Sequence, residues 1–184
     1  MSQITLGILG GGQLGSMLSV AAKKLNIKTV IYCNDEDAPA KNFCDDFIYA
    51  EYDNNEKIND FAKKVDIITY EFENIPFETL NELNKLKTVL PKPSVNRLIQ
   101  HRLAEKDFIN KLNIRTTRYV HIESKEDLLP LGDFLPGILK TTTMGYDGKG
   151  QTIIDLKSID NIKLRIKPDL YILEKLISFK KEIS

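Results

Sequence analysis

The N-terminal stretch Ile4-Thr5-Leu6-Gly7-Ile8-Leu9-Gly10-Gly11-Gly12-Gln13-Leu14-Gly15 is a short apolar segment that ends in glycines. An apolar run of this length is typical of a buried parallel strand. Residues 14–25 then place apolar side chains at helical spacing, namely Leu14, Met17, Leu18, Ala21, Ala22 and Leu25. Residues 28–32 are rich in β-branched side chains, which favours a second strand. The order strand, glycine loop, helix, strand predicts a unit of Rossmann type.

The alternation of strands and helices continues beyond this unit. Short strands are predicted at residues 46–50, 66–70 and 88–90, with helices at residues 58–65 and 80–86. Such alternation favours a doubly wound parallel sheet in an α/β domain.

The pattern changes after Pro91 and Pro93. We expect Ser94 to cap a short helix over residues 95–99, and residues 102–112 to form an amphipathic helix. Short strands at residues 117–121, 137–141, 152–154 and 170–173 follow, with one short helix at residues 125–129. We therefore expect a Rossmann-like domain over residues 1–100. Residues 101–184 would form a linking helix and part of a second domain.

The last residues also carry information. Residues 171–174 have the pattern of a strand, and residues 181–184 resemble the start of the next one. An unpaired sheet edge favours aggregation. We therefore expect this sequence to be part of a longer protein.

Composition narrows the function classes. Lys plus Arg and Asp plus Glu balance at 26 each, so no net field draws the chain to nucleic acid or to a membrane. No apolar run approaches the ~18 residues of a spanning helix, and the N-terminus lacks a signal pattern. Cys33 and Cys44 are too few for a disulfide framework, which favours reduced thiols in a cytoplasmic protein. His101 and His121 have no metal-ligand company and are expected at the surface.

The first glycine loop leaves two interpretations open. Gly10-x-Gly12-x-x-Gly15 lets backbone N–H groups approach an anion at a helix N-terminus. A nicotinamide cofactor would also need an acidic residue about 20 positions on, at the end of the second strand. Asp35 is near that place, but Cys33 and Asn34 occupy the strand end. The alternative is a Rossmann-like scaffold whose loop meets another anionic ligand.

A second glycine loop, Met144-Gly145-Tyr146-Asp147-Gly148-Lys149-Gly150-Gln151, lies four residues after Lys140. Its glycines free the backbone to fold over phosphates, and the two lysines supply positive charge. This pattern favours a lid over a polyphosphate. The same residues would also suit an ordinary β-hairpin turn.

Four charged residues outside the loops are candidates for a site. Glu174 ends a predicted strand, where it could hold a nucleobase amino group or a ribose hydroxyl, or could simply face solvent. Arg102 opens the linking helix and could equally be a solvated charge. Glu71 and Glu73 follow a strand whose carboxyl end is where parallel sheets bind ligands, so one of them is expected to face a substrate.

Taken together, several segments resemble the N5-carboxyaminoimidazole ribonucleotide synthase family of ATP-grasp enzymes in purine biosynthesis. The resemblance follows the whole chain in order. Its segments are residues 7–15, residues 69–74, Arg102 with Glu105 and Lys106, residues 139–141 and residues 145–151. It implies that residues 101–184 hold the first part of an ATP-grasp domain.

The resemblance implies a specific reaction. ATP phosphorylates bicarbonate to carboxyphosphate, which carboxylates the exocyclic amine of 5-aminoimidazole ribonucleotide, directly or through released CO₂. ADP and phosphate leave. The family also implies Mg²⁺, with acidic ligands beyond Ser184, and a homodimer; neither nucleic acid nor a membrane is an expected partner.

The resemblance also implies roles for individual residues. The expected catalytic residues are Tyr146, Asp147 and Lys149, with Asp147 handling a proton. The residues expected to bind ATP are Arg102, Lys140, Gly145, Tyr146, Asp147, Gly148, Lys149, Gly150, Gln151, Glu174, Lys175, Leu176, Ile177 and Glu182. The residues expected to bind the ribonucleotide are Gln13, Leu14 and Glu71.

The chain departs from the family at the second loop. Met144 stands where the family usually has glycine, and Thr142 and Thr143 stand where basic residues are common. Methionine restricts the backbone and adds bulk at the lid. Because the expected metal ligands lie beyond Ser184, we also expect that these 184 residues alone do not turn over.

Three other functions remain as alternatives. The first is an ATP-grasp ligase for another ribonucleotide, such as formate-dependent glycinamide ribonucleotide transformylase. The second is a ribonucleotide-binding module without turnover. The third is an NAD-dependent oxidoreductase, which would leave the second glycine loop unexplained.

Overall fold

The computed structural model describes residues 3–124, 126–145, 149–158, 171–181 and 183. The chain divides into two compact units, Met1–Arg97 and Leu98–Ser184.

The first unit is an α/β domain built on a parallel sheet. Its elements are β1 (Thr5–Leu9), α1 (Gln13–Lys24), β2 (Lys28–Cys33), β3 (Asp46–Tyr49), α2 (Asn55–Lys64), β4 (Ile67–Tyr70), α3 (Phe77–Leu86) and the start of α4 (Pro93–Ile99). The strand order is β3-β2-β1-β4, and every pair is parallel. This order confirms the predicted Rossmann-like sheet.

Helical layers cover both faces of this sheet, as a doubly wound fold requires. Along β2, Ile31 and Cys33 pack on one face, whereas Val30 and Tyr32 join the larger apolar cluster with Phe61 on the other. Alternate side chains of a strand point to opposite faces, so β2 is buried at nearly every position.

Helix α1 buries a different face from the one its apolar residues mark. Its buried residues are Gly15, Ser19 and Ala22. Most of the apolar residues that predict the helix are exposed, namely Leu14, Met17, Leu18, Ala21 and Leu25. The small residues bring the helix close to its neighbours, since a Cβ on Gly15 would lie only 3.0 Å from the carbonyl oxygen of Gly10.

Two local predictions in this unit are wrong. Residues 88–90 form no strand, only a bridge between Val89 and Ile68. Pro91 follows at once and has no N–H to extend a ladder. Ser94 is not an N-cap, because α4 already begins at Pro93, a residue well suited to the first helical position.

The second unit is an antiparallel sheet preceded by a helix. Its elements are α5 (Arg102–Lys111), β5 (Tyr119–Ile122), β6 (Gly137–Thr141), β7 (Gln151–Ile154) and β8 (Tyr171–Lys175). The strand order is β5-β8-β6-β7. The helix predicted near residue 125 is a three-residue 3-10 turn, Glu126–Leu128. A second such turn, Gly132–Phe134, was not predicted.

One face of this second sheet carries its apolar core. The fully or nearly buried members are Ile122, Leu128, Leu139, Ile154 and Leu173. Strand alternation directs the residues between them to the opposite face, which is where polar side chains gather. Among the described residues, no helix is long and apolar enough to cross a membrane.

Candidate functional site

A buried carboxylate lies at the centre of the polar face in the second unit. Glu174 is 5% exposed on β8, the strand between β5 and β6. Its Oε2 atom lies 2.6 Å from Nζ of Lys140, and its Oε1 atom lies 3.1 Å from Nζ of Lys106. Because this carboxylate is buried and doubly paired, the solvent-facing interpretation of Glu174 is wrong.

Strand pairing and one helix bring these three side chains together. Glu174 pairs with Ile138 of β6, so Lys140, two residues farther along β6, points to the same face as Glu174. Lys106 comes from α5, one helical turn after Arg102. We name Lys106, Glu174 and Lys140 the charge cluster.

The cluster keeps Glu174 ionised. Burial alone would raise the pKa of Glu174, but the hydrogen bonds and positive charges of Lys140 and Lys106 outweigh it and hold the pKa below its usual value. With two ammonium groups and one carboxylate, the cluster carries one net positive charge. Such a surface suits a phosphate group.

Arg102 forms hydrogen bonds to the beginning of the second glycine loop. Its guanidinium donates from Nη1 to the carbonyl oxygen of Thr141 and from Nη2 to that of Gly145, the latter at 2.9 Å. Its backbone N–H donates to the carbonyl oxygen of Thr142 at 2.8 Å. The interpretation of Arg102 as a solvated charge is therefore wrong, since the side chain is half-buried and bonded to the loop.

The second glycine loop joins the two strands of a hairpin, β6 and β7. Gly150 has φ +68°, and a Cβ there would lie 2.7 Å from Oγ1 of Thr141; a Cβ on Gly145 would lie 3.0 Å from the same atom. The backbone at Gly150 therefore favours glycine, and Gly145 leaves little room for a side chain. The hairpin interpretation is correct for the backbone, and it is compatible with a phosphate lid on the same loop.

The middle of the loop, with Tyr146, Asp147 and Gly148, lies outside the described residues. Lys149 is exposed. Gln151 is also exposed and pairs with Lys140 across β6 and β7.

Met144 adopts a backbone conformation that favours glycine. Its φ is +59°, and its side chain is 67% exposed. A residue with a Cβ in the left-handed region costs about 1–2 kcal/mol. The structure thus gives a physical reason why glycine would suit this position.

The residues that follow Glu174 do not all lie on the sheet face of the charge cluster. Nζ of Lys175 donates to the carbonyl oxygens of Asp133 and Leu135, at 2.8 and 3.1 Å, on the sheet face opposite the charge cluster. Leu176 is half-buried, Ile177 is exposed, and Glu182 lies outside the described residues. The Lys175 side chain is therefore not brought together with Lys140.

In the first unit, the glycine loop encloses a carboxylate. Oε1 of Glu71 accepts a hydrogen bond from the backbone N–H of Gly12 at 2.9 Å. Gly10 has φ +100°, and a Cβ there would lie 2.6 Å from the same oxygen. Gln13 and Leu14 open α1 beside this contact, and both are exposed.

This contact argues against a dinucleotide in the first loop. The N-terminus of a helix after a Rossmann strand is where a pyrophosphate normally sits. Here the Glu71 carboxylate occupies the donor of Gly12, and a second anion would meet like charge at close range. The contact instead offers an acceptor for a hydroxyl or amino group. Glu73, the other candidate, is exposed.

Sequence reasoning missed the role of Lys106. The available signal was its spacing, since residues four apart on a helix share a face with each other.

The expected surface position of His101 is wrong. This residue is half-buried, and its Nδ1 accepts a hydrogen bond from the N–H of Ala104 at 3.4 Å as the N-cap of α5. His121, expected at the surface, is half-buried on β5. Cys33 and Cys44 are free thiols, the first buried and the second half-buried.

The described residues do not supply a magnesium site. Within that part of the chain, no group of three or more His, Cys, Asp or Glu side chains is placed to hold a metal ion. We therefore assign no described residue to Mg²⁺.

Known proteins resemble this chain across both units. The chain is 36% identical to an N5-carboxyaminoimidazole ribonucleotide synthase of Staphylococcus epidermidis, over 98% of this chain and 49% of the relative. A solved N5-carboxyaminoimidazole ribonucleotide synthetase in complex with ADP matches with TM-score 0.87 and 34% identity, over 98% of this chain and 50% of the other.

A third match is a synthase from Aspergillus clavatus, solved in complex with ADP and 5-aminoimidazole ribonucleotide. It has TM-score 0.82 and 25% identity, and the alignment covers 97% of this chain and 48% of the other. The chain thus spans about half the length of these three proteins.

Two family models match consecutive parts of the chain. The ATP-grasp domain matches residues 107–184, which contain Lys140 and Glu174 of the charge cluster, and Lys106 immediately precedes this range. The ribonucleotide synthetase preATP-grasp domain matches residues 3–100, more than half of the chain, and this protein therefore belongs to the ribonucleotide synthetase preATP-grasp family.

Proposed function

We propose that this chain forms about half of an N5-carboxyaminoimidazole ribonucleotide synthase. The complete enzyme would use ATP and bicarbonate to carboxylate 5-aminoimidazole ribonucleotide, releasing ADP and phosphate. The observation that carries the proposal is the likeness over 98% of the chain to a synthetase solved with ADP. The two residue clusters described above support it independently.

The charge cluster supports a nucleotide site in the second unit. Lys140 has three donors, of which Glu174 takes one, so others can reach a phosphate. The loop that begins at Gly145 would close over the phosphates, and Arg102 holds its first residues in place. Glu174 to Ile177 would lie along the adenine and ribose, with Lys175 contributing through its backbone.

The Glu71 contact supports a ribonucleotide site in the first unit. A carboxylate held by the N–H of Gly12 is a fixed acceptor for a ribose hydroxyl or an exocyclic amine. Gln13 and Leu14 are exposed beside it at the start of α1. These residues would bind the substrate at the position where dehydrogenases bind a dinucleotide.

The chemistry requires charge neutralisation and exclusion of water. The terminal phosphoryl group of ATP passes to a bicarbonate oxygen, and ADP leaves. The substrate amine then attacks the carboxyl carbon, phosphate leaves, and a proton is lost from nitrogen. Phosphoryl transfer relies mainly on positioning and electrostatics. A closing glycine loop would protect carboxyphosphate from hydrolysis. From the family resemblance we propose that Asp147 handles this proton and that Tyr146 and Lys149 also act in catalysis.

Phosphate release tests the proposal. The assay uses the longest natural form of the protein with ATP, Mg²⁺ and bicarbonate, with and without 5-aminoimidazole ribonucleotide. We expect release that depends on this ribonucleotide. Release that instead depends on glycinamide ribonucleotide and formate would favour the transformylase alternative. Binding of ribonucleotide without release would favour a binding module.

Three finer properties belong to the same proposal. We propose a homodimer, a cytoplasmic location and a requirement for Mg²⁺ in the complete enzyme. The 184 residues alone are expected to release no phosphate above background, and sedimentation analysis of the complete protein would test the dimer.

A further inference from the structure

We propose that Lys106 is a positioning residue of the nucleotide site: it shares the charge of Glu174 so that Lys140 keeps positive charge for the phosphates of ATP. This inference rests on the proposed nucleotide site in the second unit. It concerns a residue to which neither the sequence comparison nor the family resemblance attaches a role.

The geometry holds the Lys106 ammonium in one place. Its side chain is only 14% exposed, and its Nζ lies 3.1 Å from Oε1 of Glu174 and 5.5 Å from the ring centre of Tyr119. The Tyr119 hydroxyl in turn donates to Oδ1 of Asp107 at 2.6 Å and accepts from Asn110 at 3.0 Å. The tyrosine therefore connects β5 to α5 through two residues that follow Lys106 in the helix.

The two lysines bind different oxygens of one carboxylate. Lys140 takes Oε2 at 2.6 Å and Lys106 takes Oε1. Without Lys106, Lys140 and Glu174 would form a neutral pair, and Lys140 would be held more strongly by Glu174. With Lys106 present, the cluster keeps one net positive charge on the face that carries Lys140. An anionic phosphate gains from that charge in a site shielded from water.

A purely structural role is the competing explanation. Lys106 could serve only to attach α5 to the sheet. Tyr119 provides the matched control, because Tyr119→Phe removes the hydrogen bonds to Asp107 and Asn110 but keeps the ring beside Lys106 and both partners of Glu174. Lys106→Met and Tyr119→Phe both weaken the attachment of α5 to the sheet. Only Lys106→Met changes the charge of the cluster.

The test measures ATP binding by calorimetry and the Glu174 titration by carbon-13 NMR, in the complete natural protein. We expect Lys106→Met to weaken ATP binding about tenfold and to raise the pKa of Glu174. Lys106→Arg, which keeps the charge, should restore ATP affinity to within about threefold of the natural protein. Tyr119→Phe should leave both quantities nearly unchanged even where it lowers Tm.

Several results would overturn the inference. They are equal losses of ATP affinity in Lys106→Met and Tyr119→Phe, an unchanged affinity in Lys106→Met, or no ATP binding by the natural protein. If Lys106→Met does not fold, Lys106→Gln carries the same expectation, because it removes the charge and keeps a donor. ATP binding without ribonucleotide-dependent phosphate release would contradict the proposed carboxylation and leave the role of Lys106 standing.

Discussion

The carboxylate of Glu71 lies on the backbone N–H of Gly12, 2.9 Å away, at the position where a Rossmann fold usually receives a phosphate. A protein side chain thus supplies the anion that the helix N-terminus favours. Glu71 approaches the backbone so closely that a Cβ on Gly10 would lie 2.6 Å from Oε1 of Glu71. In this structure the glycine motif therefore contacts the carboxylate of Glu71.

Replacing Glu71 should separate the two units functionally. Glu71→Gln keeps the shape of the side chain but removes its charge, so we expect 5-aminoimidazole ribonucleotide to bind about tenfold more weakly, while ATP affinity stays within about twofold. Calorimetry with each ligand measures this. Glu73→Gln, two residues away and exposed, is the control. Equal losses in the two variants would contradict the assigned role of Glu71.

Removing the buried carboxylate of the second unit should destabilise it strongly. Glu174→Gln leaves Lys106 and Lys140 close together without a counter-charge, and we expect a loss of about 3 kcal/mol in the free energy of unfolding. Glu82→Gln is the matched control, because Glu82 also pairs with a lysine, Lys85, but on an exposed helix surface. That change should cost less than about 1 kcal/mol. Urea unfolding measures both, and similar losses would argue against the cluster as a buried unit.

The same carboxylate predicts a pH dependence of stability. The pKa of Glu174 is lower in the folded protein than in the unfolded chain, where it is ordinary. The unfolded state therefore binds more protons as the pH falls. The stabilisation is fully present above the unfolded pKa and is lost as the pH drops through the folded pKa.

Unfolding free energies measured from neutral to acid pH test this dependence. Asp127 and Asp155 also have lowered pKa values and contribute to acid unfolding, so the difference between the natural protein and Glu174→Gln isolates the glutamate. We expect this difference to shrink as the solution becomes acidic. A difference that grows with acid would mean that the lysines fail to compensate for the burial of Glu174.

Relaxing the backbone at Met144 should stabilise the loop. Because φ is +59° there, we expect Met144→Gly to increase the free energy of unfolding by up to about 1 kcal/mol. Met144→Ala keeps a Cβ in the same conformation and should bring no such gain. Thermal unfolding of the two variants side by side gives the answer, and a loss of stability in the glycine variant would contradict the assignment of strain.

The two faces of α1 should differ in how much stability a change of side-chain size costs. Ser19 is 1% exposed and packs toward the sheet, so Ser19→Leu should cost about 1–3 kcal/mol by overpacking. Leu18, its neighbour, is 38% exposed, and Leu18→Ser should cost less than about 1 kcal/mol. Equilibrium unfolding distinguishes the two faces. A larger loss for Leu18→Ser would mean that the leucine face carries the packing.

The sequence predicts most elements of the fold because apolar periodicity reflects burial in strands. Strand β6 was predicted with its observed bounds, and β1, β2 and β8 to within a few residues. Helix α1 shows the limit of apolar periodicity. The pattern located the helix, but small residues such as Ser19 form its buried face. Hydrophobicity scales give small side chains little weight, although small side chains allow a helix to pack most closely against its neighbours.

For the candidate site, the sequence identified residue types but not their partners. Lys140 and Glu174 were expected at the ends of strands, and their separation of 34 residues hides the contact between them. Lys106 could have been found only by placing it one helical turn after Arg102. Glu71 was expected at a substrate, but its bond to Gly12 depends on the register between β1 and β4, which residue patterns do not specify.

The order of strands in the second sheet has a consequence for biosynthesis. Strand β8 is the last of the four in sequence, yet it lies between β5 and β6. On the ribosome, β5 and β6 emerge before the strand that joins them, and each waits with an open edge. Such edges invite pairing with other nascent chains. Joining β5 to β6 requires the chain up to residue 175, so slow synthesis just before β8 would prolong the interval in which these two edges are exposed.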